Sequence, residues 1–297
     1  MVTPLISENE LDEKGLKNLL EHLISGGVHG VFILGTTGEG TNLSYNLRKQ
    51  FIRKTCAIVN RRIPVMVGIT DTSFTGSVEI ADVSKEAGAD ALVISAPYYL
   101  PITQNEFVVY LENLVPHLKL PFLLYNMPGC TKLDMSLDTV KKAKQLGAIG
   151  IKDSSGDLAK LYSFIEEFKD SPEFSVISGT ELFIPETITF AGHGAIAGGA
   201  NLFPKLFVDW YEATKANNVE QVAILRDKVL QIEKKIYNVN SDPSRYIKSI
   251  KCALSVMGIC NDYVALPFRK FNEQERKQIE QNLKEIEFTY PEQGVKI

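Results

Sequence analysis

Short, almost unbroken apolar runs recur along the chain at Val28–Gly35, Ile63–Thr70, Ala91–Ala96, Pro121–Tyr125, Ala148–Lys152, Phe174–Ser178 and Gly194–Ala197. Runs without polar alternation predict strands buried on both faces, as in a parallel sheet covered by helices. Amphipathic stretches separate them. In Leu43–Asn60 the residues Leu47, Phe51, Ile52, Thr55 and Ile58–Val59 recur at steps of three or four, the period of a helix with one buried face. Gly76–Ala87, Gln104–Pro116, Ser136–Leu146, Asp157–Phe168, Glu181–Phe190 and Pro204–Ala216 read likewise. Ser44, Ser136 and Asp157 stand where N-caps belong.

These segments make seven strand–helix units, and Val2–Ile6 followed by Leu11–Ser25 suggests an eighth at the N-terminus. Consecutive βα units with no hairpin signal predict a closed (β/α)8 TIM barrel, with a doubly wound open sheet as runner-up. From about Asn218 the strand pattern stops, and Val219–Val239, Pro243–Met257 and Asn272–Phe288 read as helices. The expected organisation is a catalytic barrel over residues 1–217 and a C-terminal helical extension over 218–297.

Composition narrows the partners. The 297 residues carry 32 Lys+Arg and 36 Asp+Glu, a formal charge of −4, which argues against nucleic acid or an anionic membrane surface. The cationic cluster Lys141–Lys142 with Lys144 fits the solvated face of a helix. No apolar run reaches the roughly 18–20 residues that cross a bilayer. Met1–Glu13 has four acidic residues and no basic one, unlike a signal peptide. Cys56, Cys130, Cys252 and Cys260 show no Cys-x-x-Cys spacing, and His22, His29, His117 and His193 are scattered. Neither a disulfide framework nor a zinc site is expected. The chain reads as a reduced, cytoplasmic, metal-independent protein.

In a barrel of this kind the reactive groups sit on the loops at the C-terminal ends of the strands. Those ends are Gly35-Thr36-Thr37-Gly38-Glu39-Gly40, Thr70-Asp71, Pro97-Tyr98-Tyr99, Tyr125-Asn126-Met127-Pro128-Gly129, Lys152-Asp153-Ser154-Ser155-Gly156, Ser178-Gly179-Thr180-Glu181 and Ala197-Gly198-Gly199-Ala200-Asn201. Lys152 is the anomaly, a lysine finishing a buried strand. Burial disfavours its ammonium, and the neutral amine is a nucleophile that forms a Schiff base with a ketone. The plainer reading pairs Lys152 with Asp153 or lets it snorkel to solvent. Tyr125, ending the neighbouring strand, is placed to shuttle protons, with Thr37 and Tyr99 as hydroxyl relays. A tyrosine in such a place can equally be a core residue with its hydroxyl at the rim. The Gly35–Gly40 loop offers closely spaced N–H groups and hydroxyls ahead of a helix, suited to a carboxylate, or is simply a tight turn. Gly198-Gly199 could hold a phosphate, although no basic side chain lies in that loop. Asp71 could face the substrate or cap the next helix.

Together, Gly35-Thr36-Thr37-Gly38-Glu39, Pro97-Tyr98-Tyr99, Tyr125-Asn126-x-Pro128 and Gly150-x-Lys152-Asp153-Ser154 resemble, in order and spacing, the dihydrodipicolinate synthase/N-acetylneuraminate lyase family of class I, pyruvate-dependent aldolases. The resemblance covers essentially the whole chain. It implies that Lys152 is the Schiff-base lysine and Tyr125 the acid/base, with the pyruvate carboxylate on the backbone and hydroxyls of Thr36 and Thr37. It implies a hydroxyl triad of Tyr125, Thr37 and Tyr99, the last crossing from a neighbouring subunit, and a backbone border to pyruvate at Gly179 and Ile196. A homotetramer, as a dimer of dimers, and no cofactor beyond the covalent Schiff base follow from the same likeness.

The departures bear on the second substrate. Where true dihydrodipicolinate synthases carry an arginine that clamps the aldehyde's carboxylate, this chain has Cys130, and a thiol cannot make a bidentate guanidinium bond. Lys132 is the nearest cation that could substitute. The sialic-acid lyase pattern fails too, with Glu181-Leu182 in place of an acidic pair and Gly198 in place of a hydroxyl. The expected function is a Schiff-base lyase using or releasing pyruvate, with Cys130 and Glu181 selecting the rest of the substrate. The alternatives are 4-hydroxy-tetrahydrodipicolinate synthase proper, condensing pyruvate with aspartate semialdehyde, or a 2-keto-3-deoxy sugar-acid aldolase or dehydratase. From other classes come a keto-acid-sensing binding protein and a phosphate-binding barrel enzyme.

Overall fold

The computed structural model describes residues 1–287. Phe288, on which the last predicted helix ends, and the terminal part of the 218–297 extension lie outside the described residues. The chain forms two compact units, one from Met1–Ile63 together with the chain from Gly198 onward, the other from Pro64–Ala197.

The first unit opens with β1 (Leu5–Ser7), β2 (Glu10–Leu11) and α1 (Glu13–Ser25), followed by β3 (Val31–Ile33) and α2 (Tyr45–Val59). The N-terminus corrects the sequence reading. Val2–Ile6 is not one strand; β1 and β2 form an antiparallel hairpin with Leu5 opposite Leu11. The polar turn after Ser7 lets both leucines turn inward while Ile6 is left 48% exposed. Met1–Thr3 binds separately, the terminal ammonium donating to the Phe32 carbonyl (2.7 Å) and the Val2 N–H to Asn201 Oδ1 (3.0 Å). In α2, Leu47, Phe51, Ile52, Thr55 and Val59 are buried as the period predicts, and Ser44 Oγ caps the Leu47 N–H at 3.3 Å.

The second unit holds β4 (Val65–Gly68), β5 (Ala91–Ile94), β6 (Phe122–Asn126), β7 (Ala148–Asp153), β8 (Ser175–Ser178) and β9 (Gly194–Ala195). They lie side by side in chain order, and every neighbouring pair is parallel. All residues of β5 and β6 are buried, which is why their sequences show no alternation. The crossovers are α3 (Phe74–Ala87), α4 (Gln104–Leu114), the short α5 (Pro128–Thr131), α6 (Leu137–Gln145), α7 (Leu158–Phe168) and α8 (Ile184–Thr189). Ser136 and Asp157 cap α6 and α7 as expected. Lys141 and Lys144 pair with Glu167 and Glu173 at 2.8 Å each, so that cluster is a solvated, ion-paired face.

After β9 the described chain is helical again, with α9 (Pro204–Lys215), α10 (Val219–Ile232) running into a π-helical turn at Glu233–Tyr237, α11 (Arg245–Val256) and α12 (Glu273–Glu287). Trp210, Ile232, Ile236, Ile250, Leu254 and Ile279 are fully buried in this unit. Each such side chain contributes about 1.5–3 kcal/mol of apolar burial. Among the described residues no helix is long and apolar enough to cross a membrane.

Candidate active site

The C-terminal ends of β6 and β7 carry the centre of the site. The parallel register sets Tyr125 beside Lys152 and Asn126 beside Asp153. Successive residues of a strand face opposite ways, so Tyr125 and Lys152 share one face and Asn126 and Asp153 the other. Lys152 is 7% exposed, and its Nζ lies 4.1 Å from the centroid of the Tyr125 ring. Ser95, just past the end of β5, donates from its Oγ to the Tyr125 carbonyl at 2.8 Å.

Behind this pair stands a polar lock that the sequence did not reveal. Asn126 Nδ2 donates to Asp153 Oδ1 (2.8 Å) and to Asp134 Oδ1 (3.0 Å), while its Oδ1 accepts the Met135 N–H (2.9 Å). Ser155 Oγ adds a bond to Asp153 Oδ2 at 2.8 Å, and Lys160 pairs with Asp134. Burial holds the Asp153 carboxyl above its ordinary pKa, against the opposing bonds from Asn126 and Ser155. Exchanging Asn126→Asp removes both donors and sets a third carboxylate against two others. The expected result is a loss of about 3–5 kcal/mol of stability, read from the denaturant midpoint; an unchanged midpoint would show that the lock is not stabilising.

Gly179 closes the site from β8. Its N–H donates to the Asp153 carbonyl at 2.6 Å. A β-carbon there would stand 1.7 Å from Ser154 Oγ and 2.9 Å from Lys152 Cε, so only glycine lets this backbone approach the lysine. Ile196 is tied alongside, its N–H donating to the Ser178 carbonyl at 2.9 Å. Glu181 is 9% exposed in a 3₁₀ turn just beyond.

The remaining predicted residues of this unit stand further out. Tyr99 is 78% exposed and holds a φ of +78°, and Lys132 Nζ donates to its carbonyl at 3.0 Å. Cys130 is an exposed thiol on α5, an element too short to leave a periodic trace in the sequence. Asp71 makes an Asx turn to the Ser73 N–H at 2.9 Å, and Ser73 rather than Asp71 caps α3. Cys252 and Cys260, in the other unit, are pushed up to about 12 by burial and stay protonated thiols at neutral pH.

Thr36 and Thr37 lie in the first unit, in the loop after β3. Its turn consumes its own later amides: Gly38 N–H binds the Gly35 carbonyl (3.0 Å), Glu39 N–H that of Thr36 (3.0 Å) and Gly40 N–H that of Gly35 (3.3 Å). A 3₁₀ turn at Gly40–Asn42 lies between this loop and α2. The Gly198-Gly199 loop finds a different explanation from phosphate binding. β-carbons at these positions would stand 1.8 Å from the Tyr246 hydroxyl and 2.5 Å from the Phe207 ring, so close ring packing accounts for both glycines. Among the described residues no group of three or more His, Cys, Asp or Glu side chains is gathered as a metal site would need.

Parallel strands alternating with helices, ending in a buried lysine beside a tyrosine, define a site of the class I aldolase kind. The sequence profile of the dihydrodipicolinate synthetase family matches residues 1–286, and the chain belongs to that family. It is 32% identical over 268 residues to the 4-hydroxy-tetrahydrodipicolinate synthase of Ralstonia nicotianae, covering 90% of this chain and 89% of that one. Over 282 residues it is 30% identical to the enzyme of the same name from Methanoculleus marisnigri, covering 94% of each. Among solved structures it resembles dihydrodipicolinate synthase from Bacteroides thetaiotaomicron, with 46% identity, a TM-score of 0.93 and 96% of each chain covered. YagE of Escherichia coli K12, solved in complex with pyruvate, is 29% identical with a TM-score of 0.89 and the same coverage. The fold class is thus the (β/α)8 barrel with C-terminal helices, and the protein is a lyase of the class I aldolase type, working through a lysine Schiff base.

Proposed function

We propose that Lys152 is the Schiff-base lysine and that pyruvate, or a 2-keto acid that yields it, is the substrate it captures. The burial of Lys152, with its amine at 4.1 Å from the Tyr125 ring and its Cε against Gly179, carries this reading. The amine attacks the C2 carbonyl carbon, forming a C–N bond as the carbonyl π bond breaks, and a proton passes from the nitrogen to the carbonyl oxygen through Tyr125. The resulting carbinolamine loses its hydroxyl as water, with a proton delivered by Tyr125, and leaves an iminium. Loss of a C3 proton gives the enamine, whose C3 forms a bond to an aldehyde carbon; the reverse sequence cleaves that bond. Thr36 and Thr37 receive the carboxylate, Gly179 and Ile196 border the bound acid, and Thr37 relays protons. Tyr99 completes the relay from a second copy of the chain in a homotetramer, a role its exposure in the single chain supports.

Pyruvate in deuterated water tests this. Enamine formation exchanges the methyl hydrogens, so the methyl proton signal should fade at a rate proportional to enzyme. An unchanged methyl signal at millimolar pyruvate would sink the proposal, and so would exchange that survives loss of Lys152.

For the second substrate we propose an aldehyde, or the matching part of a keto acid, chosen by Cys130 and Glu181 rather than by a guanidinium clamp. A second reading, 4-hydroxy-tetrahydrodipicolinate synthase proper, draws support from Lys132, whose ammonium is held beside Tyr99, and from the names of the relatives. Cys130→Arg separates them. If the clamp is missing, the variant raises kcat/KM for aspartate semialdehyde by about tenfold or more, the worth of a charged hydrogen bond. If the wild type already turns over that aldehyde faster than 2-keto-3-deoxy acids are cleaved, and the variant gains nothing, the synthase reading stands.

A further inference from the structure

We infer that the buried ion pair of Glu39 and Lys251 is a positioning device for the Thr36–Thr37 loop, an inference that rests on the proposal that this loop receives the keto acid's carboxylate. Glu39 closes the loop with its backbone, through the bond from its N–H to the Thr36 carbonyl. Its φ is +55°, a left-handed conformation that a side-chain-bearing residue keeps only when its surroundings hold it there. The carboxylate supplies the hold. Both side chains of the pair are fully buried, with Glu39 Oε1 against the Lys251 ammonium. Glu39 Oε2 accepts the Ala265 N–H at 2.7 Å, and Lys251 Nζ donates to the Tyr263 carbonyl at 2.7 Å. One acid and one base thereby fasten the loop to α11 and to the segment that follows it.

Stability alone does not account for the pair. Desolvating two ions costs several kcal/mol apiece, and apolar replacements are often equally stable. Burial drives the Lys251 amine below its ordinary pKa, and Glu39 opposes the shift. Apolar residues would fill the same space. They would not supply directional contacts that fix where the backbone of residues 36–39 lies, which is what recognition of a small anion requires. Neither group enters the proposed proton path, so both are positioning residues.

The test compares the wild type with Glu39→Gln/Lys251→Met, which removes both charges, leaves no unpaired ion buried and nearly conserves volume. Glu39→Asp serves as a second variant that keeps the charge and withdraws the carboxylate by one methylene. Two readouts are taken: amide hydrogen exchange of residues 34–42, and half-saturation by pyruvate against kcat. Loop exchange and the pyruvate half-saturation should each rise about tenfold, with kcat changed less than about threefold and α2 exchange unaltered. The preference for pyruvate over acetone, which lacks the carboxylate, should shrink by the same factor. Glu39→Asp should move the same quantities in the same direction. A lowered melting temperature with unchanged loop exchange and unchanged half-saturation would mean a purely structural pair and overturn the inference. Failure of the wild type to capture pyruvate would overturn the functional reading instead, and the exchange rates would still decide the clamp.

Discussion

Replacing Lys152 with alanine is expected to abolish pyruvate chemistry while the protein stays folded. The side chain is buried, so its loss leaves a small cavity, but it also relieves the cost of keeping an amine out of water. The chemistry has no such compensation. Without the amine there is no C–N bond, no electron-withdrawing iminium and no enamine, and turnover should fall on the order of 10⁴-fold or more. Lys152→Arg should be equally inactive, because a guanidinium keeps its proton and cannot act as the nucleophile. Methyl exchange of pyruvate, with circular dichroism as the folding control, checks both variants. Residual exchange within tenfold of the wild type in either one would remove Lys152 from the mechanism.

Gly179→Ala should have the second largest effect, through geometry alone. No unfavourable φ is imposed at this position, so the strain comes from contact. The new methyl would stand 2.9 Å from both Lys152 Cε and Ser154 Cβ, and 1.7 Å from Ser154 Oγ. The serine hydroxyl can rotate away, but its Cβ and the lysine arm cannot both be relieved without moving the β7 end. Overpacking of this kind costs about 1–3 kcal/mol of stability. A displacement of the amine by a fraction of an ångström to one ångström costs about 10²-fold in rate. We therefore expect kcat to fall by that factor with the melting temperature only modestly lowered. Full turnover in Gly179→Ala would show that the lysine arm is not confined by this backbone.

The strands of the second unit were legible because burial on both faces leaves unbroken apolar runs, and the caps Ser44, Ser136 and Asp157 act as their side chains predict. Val2–Ile6 misled because five apolar-rich positions hide a break at Pro4 and a hairpin closed by polar residues. Lys152 was visible as a cation in the wrong company, and Tyr125 as its neighbour one strand away. What surrounds them was not. Asn126 gains its meaning from carboxylates on two other segments, and Gly179 from a serine just past the end of β7. Glu39 and Ala265 meet across 226 positions, a separation that no local pattern encodes. Side-chain spacing reports the faces of helices and strands; it does not report which faces meet.

The most direct measurement is borohydride reduction of the protein incubated with pyruvate, followed by mass analysis of its peptides. The peptide bearing Lys152 should gain one 1-carboxyethyl group, at one per chain, and other lysine peptides should stay unmodified. A protein of unchanged mass after saturation with pyruvate, or a modification on another lysine that survives Lys152→Ala, would contradict it.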